Sequence, residues 1–264
     1  MYNAPNLKEQ KMGKRVGIVD ETRGIAVISM VIYHLYFDLV YFYGVRMGAL
    51  IDTAMDWWQP FIAGTFIFVS GIAANYSKNI FKRGVLCFFV GMCFTFATSF
   101  ITPDAPIYFG VLHLLGISMM IYGFVGRFTS LIPWILGLIL FALLYFLSLN
   151  IPRGYIGFTW LFTIDMPDAL YGARLLFPLG FPKAGFSSLD YFPLLPHFLL
   201  FMSGASLGVL FKSGRAAKGM YMVRFSGLAF IGRHALLIYI LHQPVLVAIL
   251  DLIFKIMGKN TMFL

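Results

Sequence analysis

Seven runs of about 20 mainly apolar residues, separated by short polar breaks, constrain this chain more than any other feature of its sequence. A helix of that length crosses a hydrocarbon core of roughly 30 Å. A membrane barrel would instead show alternation in segments of about ten residues, and the sequence has none. The pattern therefore predicts an all-α polytopic transmembrane helix bundle with spans at about residues 24–45, 57–76, 84–101, 106–126, 130–150, 191–211 and 227–252.

Composition excludes a soluble domain, because 60% of the residues are hydrophobic and 12% are charged, against roughly 45–50% and 25% in soluble domains. We expect a single transmembrane domain over residues 1–264, in which 151–190 is the long connection. A short re-entrant or interfacial helix there would change the span count by one. The first apolar run lacks a small-residue cleavage site and is interpreted as a retained span, not a signal peptide.

The positions of the basic residues predict the orientation. If the N-terminus is cytoplasmic, fourteen of the twenty Lys and Arg residues lie on the inner side, Lys8, Lys11, Lys14 and Arg15 among them. The positive-inside rule then favours N-inside and, with seven spans, C-outside. Nucleic-acid binding is not expected, because these residues lie at membrane borders without an interleaved aromatic face. Cys87 and Cys93 predict neither a disulfide framework nor a metal site.

The first span carries a polar stripe. On a helical wheel with 100° per residue and Arg23 at the origin, Asp20 and Asp38 lie at about 60°, His34 at about 20° and Tyr41 at about 0°. His34 lies about 16 Å further along the helix than Arg23, near the bilayer midplane. Asp38, one turn on, is placed to orient the imidazole or accept its proton, so His34 is a candidate general base. The alternative is a buried histidine that fixes helix packing.

Other polar residues in the spans are candidates for an acceptor site or a cavity wall, since ionisable groups at membrane depth usually face the interior. His113 and His197 lie in the outer halves of spans four and six. His242 and Gln243 lie near mid-depth in span seven, beside Pro244, which is expected to kink the helix. For each of these histidines, an interhelical hydrogen bond is the alternative.

Small residues have a different expected role. Gly71 in span two and Gly204 in span six are expected to allow close approach of helices, and no chemistry is assigned to them.

Seven stretches stand out, in this order along the chain: residues 19–26 (VDETRGIA), 30–34 (MVIYH), 37–39 (FDL), 66–71 (FIFVSG), 108–116 (YFGVLHLLG), 190–196 (DYFPLLP) and 231–244 (IGRHALLIYILHQP). Together they resemble the heparan-α-glucosaminide N-acetyltransferase catalytic-domain family in its short prokaryotic form. Arg23 and His34, with ten residues between them, also match the Arg-x10-His motif of the membrane acyltransferase-3 family, whose histidine is regarded as catalytic.

The resemblance implies transfer of an acyl group, typically acetyl, from cytoplasmic acetyl-CoA to a hydroxyl or amine of a glycan or sugar outside. His34 and Asp38 would be the catalytic residues. In the larger members the histidine regarded as catalytic lies in the loop after the first span. Residues 46–56 of this chain contain no histidine, so His113 is a competing candidate.

The remaining expectations concern the donor, the acceptor and the location. A basic rim would attract the phosphates of acyl-CoA, and the connection 151–190 would cover the acceptor together with Asp190. The bilayer, acyl-CoA and the glycan are the expected partners, no metal is predicted, and a homodimer is compatible with these features. The expected location is the bacterial cytoplasmic membrane. The candidates for the basic rim are Arg23, Arg233, Lys82 and Arg83.

Two other classes of function fit the sequence. A non-enzymatic seven-span transporter or proton-coupled sensor could use the His34–Asp38 pair to relay protons, since intramembrane polar pairs serve that purpose. A structural factor in the assembly of envelope polysaccharide is the third alternative.

Overall fold

The computed structural model describes residues 16–129 and 131–258. Several basic residues of the orientation argument (Lys8, Lys11, Lys14, Arg15 and Lys259) lie outside the described residues. The helices are α1 (Gly17–Tyr41), α2 (Ala49–Ala74), α3 (Ile80–Ile101), α4 (Val111–Thr129), α5 (Trp134–Ser148), α6 (Asp168–Gly172), α7 (Leu194–Lys212), α8 (Ser226–Arg233) and α9 (Ala235–Ile256). Two short strands, β1 (Tyr155–Phe158) and β2 (Phe162–Asp165), lie between α5 and α6.

Seven of these helices are long and apolar enough to cross a membrane, namely α1, α2, α3, α4, α5 with the turn that follows it, α7 and α9. An α-helix pairs most of its backbone N–H and C=O groups within the segment, which is the condition for crossing hydrocarbon. The predicted all-α fold class with seven spans is confirmed, and the chain is an integral membrane protein.

The first, second and last spans differ most from their predicted bounds. α2 begins at Ala49, whereas its predicted start was residue 57. α1 begins at Gly17, so Asp20 and Arg23 lie within the helix instead of before it. The predicted span 227–252 is two helices, because His234 leaves the helical conformation at φ −100° and ψ 16°. Hydropathy could not locate this break, since the run is apolar on both sides of it.

The connection 151–190 has little regular structure. β1 and β2 form an antiparallel hairpin whose register pairs Tyr155 with Asp165 and Phe158 with Phe162. In this part of the chain, which the structure describes throughout, the longest helix is the five-residue α6. The connection therefore adds no span to the seven.

The chain divides into two compact units, and the first contains residues 16–66 and 217–258. Here α1 packs against α8 and α9. A Cβ atom on Gly24 would overlap the carbonyl oxygen of Leu228, and one on Gly232 would overlap that of Asp20. These two glycines let the backbones of α1 and α8 touch.

Glu21 joins the same two helices. Its carboxylate oxygen Oε1 accepts the backbone N–H groups of Arg224 and of Phe225, the latter at 2.8 Å. These groups precede α8 and have no partner within a helix, so the carboxylate acts as an N-terminal cap. The buried Glu21 therefore fixes where α8 begins against α1.

The second unit contains residues 67–216. Its main contacts join α3 to α4 and α5 to α7. A Cβ atom on Gly71, near the end of α2, would overlap the carbonyl oxygen of Phe201 in α7, and one on Gly204 would overlap that of Phe68. The expected close approach of helices at Gly71 and Gly204 is confirmed.

Candidate active site

His34 and Asp38 lie one turn apart on the face of α1 that meets α9. Asp38 is completely buried, with 0% of its surface exposed. Tyr41, at the edge of the same predicted stripe, is 71% exposed. The polar stripe is therefore buried at Asp38 and exposed at Tyr41, so its buried part ends before the last residue of α1.

The imidazole rings of His34 and His242 are in contact, with centroids 4.7 Å apart at an interplanar angle of 60°. The sequence predicted both residues as site candidates but could not pair them. Nδ1 of His242 lies 2.7 Å from the carbonyl oxygen of Tyr239. Because a carbonyl only accepts, Nδ1 carries the proton, and Nε2 of the neutral ring presents a lone pair.

Gln243 holds Asp38. Its amide nitrogen Nε2 donates to Oδ1 of Asp38 at 2.7 Å. Asp38 was predicted to orient His34, and its observed partner is Gln243. A direct action of Asp38 on His34 therefore stays a prediction, and α9 supplies a partner to each of the two candidate catalytic residues on α1.

Three buried atoms of this site have no hydrogen-bond partner within residues 16–129 and 131–258: Oδ2 of Asp38, Nε2 of His242 and Oε1 of Gln243. Leaving a buried polar atom unpaired costs about 1–3 kcal/mol. All three are acceptors when Asp38 is ionised and His242 neutral. The site is therefore suited to a group that brings its own N–H or O–H donors.

Pro244 follows these residues within α9. It has no N–H, so the helical hydrogen bond to the carbonyl of Ile240 cannot form. This missing bond lies next to His242 and Gln243, and the kink expected there stays a prediction.

Asp251 is a buried carboxylate that the sequence reasoning missed. It is 2% exposed within α9 and accepts a 2.5 Å hydrogen bond from the hydroxyl of Tyr43, which follows α1. Burial raises the pKa of Tyr43 above its usual value, and the hydrogen bond to Asp251 adds to this effect. An aspartate in the apolar run of the last span was the signal, since such groups are rarely without a role.

The predicted phosphate-binding residues lie in both units. In the first, Arg23 pairs with Asp20 at 3.5 Å, and Nε of the exposed Arg233 donates to the carbonyl of Ala229 at 3.0 Å. In the second, Lys82 and Arg83 are exposed in the first turn of α3. Arg23 and Arg233 each adjoin a glycine at the contact between α1 and α8, namely Gly24 and Gly232.

His113, the competing candidate, has both ring nitrogens engaged. Nδ1 accepts the N–H of Gly110 at 3.2 Å, and Nε2 lies 3.2 Å from Oγ1 of Thr95. The Thr95 hydroxyl gives its proton to the carbonyl of Ile107 at 2.5 Å, so Nε2 must be the donor to Thr95. With 1% exposure, His113 fits the interhelical bonding alternative better than acceptor binding.

His197 bonds within its own helix region. Its Nδ1 lies 2.9 Å from the carbonyl of Pro193, and its ring packs against Tyr145 and Phe192. A place for His197 in an acceptor site stays a prediction.

Asp190 caps a helix. Its Oδ2 accepts the N–H of Val111, the first residue of α4, at 3.0 Å. A Cβ atom on Gly110 would overlap this oxygen, so the glycine makes room for the cap. Burial raises the pKa of Asp190 from 3.8 to about 6, and the bond from Val111 acts in the opposite direction. Its predicted place in an acceptor site remains a prediction beside this structural task.

Among the described residues, no group of three or more His, Cys, Asp or Glu side chains could hold a metal ion. Comparison with curated proteins and with solved structures gave no match. Residues 15–244, which include α1, α9 as far as Pro244 and every residue of the site except Asp251, match the family described as Heparan-alpha-glucosaminide N-acetyltransferase, catalytic. A match over this share of the chain, with the paired polar residues of α1 and α9 inside it, means that the chain belongs to the heparan-α-glucosaminide N-acetyltransferase catalytic family.

Proposed function

We propose that this protein transfers an acetyl group from cytoplasmic acetyl-CoA to an amine or hydroxyl of a glycan or sugar on the other side of the membrane. The observation that carries the proposal is the site of His34, His242, Asp38 and Gln243, buried between two spans of a chain in this acetyltransferase family. Family membership favours an enzyme over the transporter, sensor and assembly alternatives.

His34 acts as the general base. It takes the proton of the acceptor N–H or O–H as the acceptor atom forms its bond to the acetyl carbon. The C–S bond of the thioester breaks, and its electron pair leaves on the thiolate of coenzyme A. The proton held by His34 then passes to that thiolate, so the reaction ends with the acetylated acceptor and free coenzyme A. Attack by His34 itself, through an acetyl-histidine, is the variant pathway.

The unpaired hydrogen-bond acceptors of the site support the binding of the molecule that receives the acetyl group. Asp38, His242 and Gln243 offer lone pairs without a matching donor, and an amine or a sugar hydroxyl supplies donors. The thioester carbonyl is itself an acceptor and gains nothing from this surface. The nucleophile therefore binds among these three residues.

The phosphates of the donor bind at the inner border. Arg23 and Arg233 stand in the first unit where α1 meets α8, and guanidinium groups bind phosphate oxygens through paired hydrogen bonds. Lys82 and Arg83 are the candidates in the second unit. The orientation with the N-terminus inside puts all four on the cytoplasmic side, where acetyl-CoA is made.

Two donors separate phosphate binding from chemistry. Purified protein is assayed for release of free thiol from acetyl-CoA and from S-acetyl-pantetheine, which lacks the nucleotide phosphates. Arg233→Gln and Arg23→Gln should raise the KM for acetyl-CoA by about tenfold, the effect of about 1.4 kcal/mol, and leave that for S-acetyl-pantetheine unchanged.

Arg153→Gln is the matched control, because Arg153 lies far along the chain and bonds to Asn150. It should change neither KM. Equal effects of the inner arginine variants on both donors would count against phosphate binding at this border.

A further inference from the structure

His242 lies against the proposed base, but a mechanism that uses His34 alone gives it no task. It is 8% exposed, and its ring is in contact with that of His34. Its Nδ1 proton is held by the carbonyl of Tyr239. The lone pair of Nε2 is therefore buried beside a second imidazole and has no partner in the described part of the chain.

We propose that His242 is the positioning residue of the site and that its Nε2 accepts a hydrogen bond from the ring N–H of His34. Two imidazole rings whose centroids are 4.7 Å apart are close enough for their facing nitrogens to reach hydrogen-bond distance when the rings turn toward each other. It fixes the tautomer of His34, so the other nitrogen of His34 keeps its lone pair for the acceptor. This inference rests on the proposed acetyl transfer.

The arrangement follows the logic of a catalytic triad in which a third group orients the histidine base. The difference is that the orienting group is neutral. Two imidazolium rings whose centroids are 4.7 Å apart would repel strongly in a low-dielectric interior, so the pair holds at most one added proton.

Because the group that orients His34 is neutral, His34 can give up its added proton readily. His34 gains the acceptor's proton during attack and must give it to the departing thiolate, a modest base. A carboxylate partner would hold the imidazolium more firmly than a neutral imidazole does. With His242 as partner, the same proton moves from acceptor to His34 to thiolate, and His242 ends as it began.

Other ionisable groups near His242 come from each neighbouring element. α1 brings His34, Asp38 and Tyr33, whose ring lies against that of His34. Asp38 is bonded to Gln243. Tyr239 lies on the same helix as His242. Arg233 is the charged residue of α8, and its Nε is bonded to a carbonyl of that helix. The pH dependence of the pair is therefore that of two histidines and one carboxyl group.

Two substitutions at position 242 separate positioning from packing. In His242→Asn the amide can still donate to the carbonyl of Tyr239 but is too short to reach His34. In His242→Gln a longer amide places its carbonyl oxygen near the position of Nε2, so it can accept from His34 without titrating. We expect kcat for acetyl transfer to fall by about 100-fold or more in His242→Asn, with KM changed less than about twofold.

His242→Gln should recover most of that loss and remove one ionisation from the pH profile of kcat/KM. The matched control is His234→Asn. His234 also bonds through Nδ1 to a carbonyl of its own helix, that of Phe230, and it is exposed. The control should keep wild-type kinetics. Loss of activity that is equal in the Asn and Gln variants, or absent from both, would overturn the inference.

A readout that needs no turnover separates this inference from the proposed function. The 15N chemical shifts of the His34 ring report its tautomer in protein labelled at histidine. His242→Asn should mix the two tautomers of His34, and His234→Asn should leave one. A wild type that consumes no acetyl-CoA defeats the proposed function, whereas His34 shifts that ignore His242 defeat the pairing.

Discussion

At the scale of single residues, the histidines differ in how many of their ring nitrogens are hydrogen-bonded within the protein, and this difference separates a structural role from a role in the site. His113 has both nitrogens bonded inside the protein, whereas His242 has one nitrogen bonded and one unpaired. A fully bonded imidazole holds helices together at no cost in unpaired polar atoms. An imidazole with an unpaired buried nitrogen lowers the stability of the fold, and a bound substrate that donates to this nitrogen offsets the loss.

Thr95→Val tests the structural task of His113. The substitution removes the hydroxyl that accepts from His113 and donates to the carbonyl of Ile107, so the buried His113 and the part-buried carbonyl both lose their partner. We expect a loss of about 1–3 kcal/mol in stability, seen as a lower Tm in detergent, with unchanged acetyl transfer per folded protein.

Ser99→Ala is the control on the same helix, because the exposed Ser99 bonds only to the carbonyl of Thr95 among its described contacts. It should shift stability by less than about 0.5 kcal/mol. If fully folded Thr95→Val protein had a reduced kcat, His113 would instead take part in the reaction.

Asp190 predicts a pH dependence of stability. Its pKa rises from 3.8 to about 6 on folding because of burial, so the folded protein binds the proton more tightly than the unfolded chain. The associated stability is complete below about pH 4 and is lost as pH rises through about 6. Asp190→Asn keeps an acceptor for Val111 and cannot ionise.

The difference in Tm, variant minus wild type, should therefore grow between about pH 4 and pH 7. Thermal unfolding of the two proteins in detergent across that range measures it. Parallel curves would mean that Asp190 is ionised without penalty beside the N-terminus of α4.

The sequence identified the site residues of α1 but not their partners. A helical wheel places His34 and Asp38 on one face, because both belong to one helix whose geometry is known in advance. Which residues of α9 meet them depends on tertiary packing more than 200 positions away in the chain. The pairs His34–His242 and Asp38–Gln243 were therefore beyond reach, although each member was a candidate.

At the scale of elements, the contact between α1 and α8 joins the family-like stretch at 19–26 to the start of the stretch at 231–244. Gly24 and Gly232 remove side chains where the backbones touch, and Glu21 caps the start of α8. Hydropathy predicted one continuous span here. The break at His234 was not predicted, although Arg233 and His234 are two adjacent polar residues within the apolar run.

Gly232→Ala tests the contact between the helices. The added methyl group would overlap the carbonyl oxygen of Asp20, part of a rigid helix backbone. We expect separation of α8 from α1, a loss of about 1–3 kcal/mol in stability and a higher KM for acetyl-CoA, because Arg233 moves with α8.

Gly227→Ala supplies the control in the same helix. A Cβ atom there meets nothing within 4 Å, and alanine favours the helix over glycine by about 1 kcal/mol. This variant should be as stable as the wild type or more so. Equal damage from both substitutions would show that close approach of the helices is not the reason for the glycine at position 232.

At the scale of the whole molecule, seven spans were predictable because each must carry about 20 apolar residues. The exact ends of the spans were not, since they depend on caps such as Asp190 at the start of α4, which comes from a distant part of the chain. The proposed orientation rests on the basic residues around the spans.

Cysteine labelling tests that orientation. In a Cys93→Ser background, Ser187→Cys lies before α7 and Ala217→Cys lies after it, both at exposed positions. A membrane-impermeant maleimide added to intact cells should label position 187, whereas position 217 should react only after the cells are opened. The reverse pattern would put the N-terminus outside and the arginines of α1 and α8 on the wrong side for acetyl-CoA.

The most direct test of acetyl transfer through His34 is the release of free coenzyme A by purified protein supplied with acetyl-CoA and a mixture of amino and neutral sugars. We predict that the wild type releases the thiol. His34→Asn, at an unchanged Tm, should release it about 100- to 10,000-fold more slowly, the contribution of a general base. Equal rates in the two proteins, or no release by the wild type with any acceptor, would contradict the account.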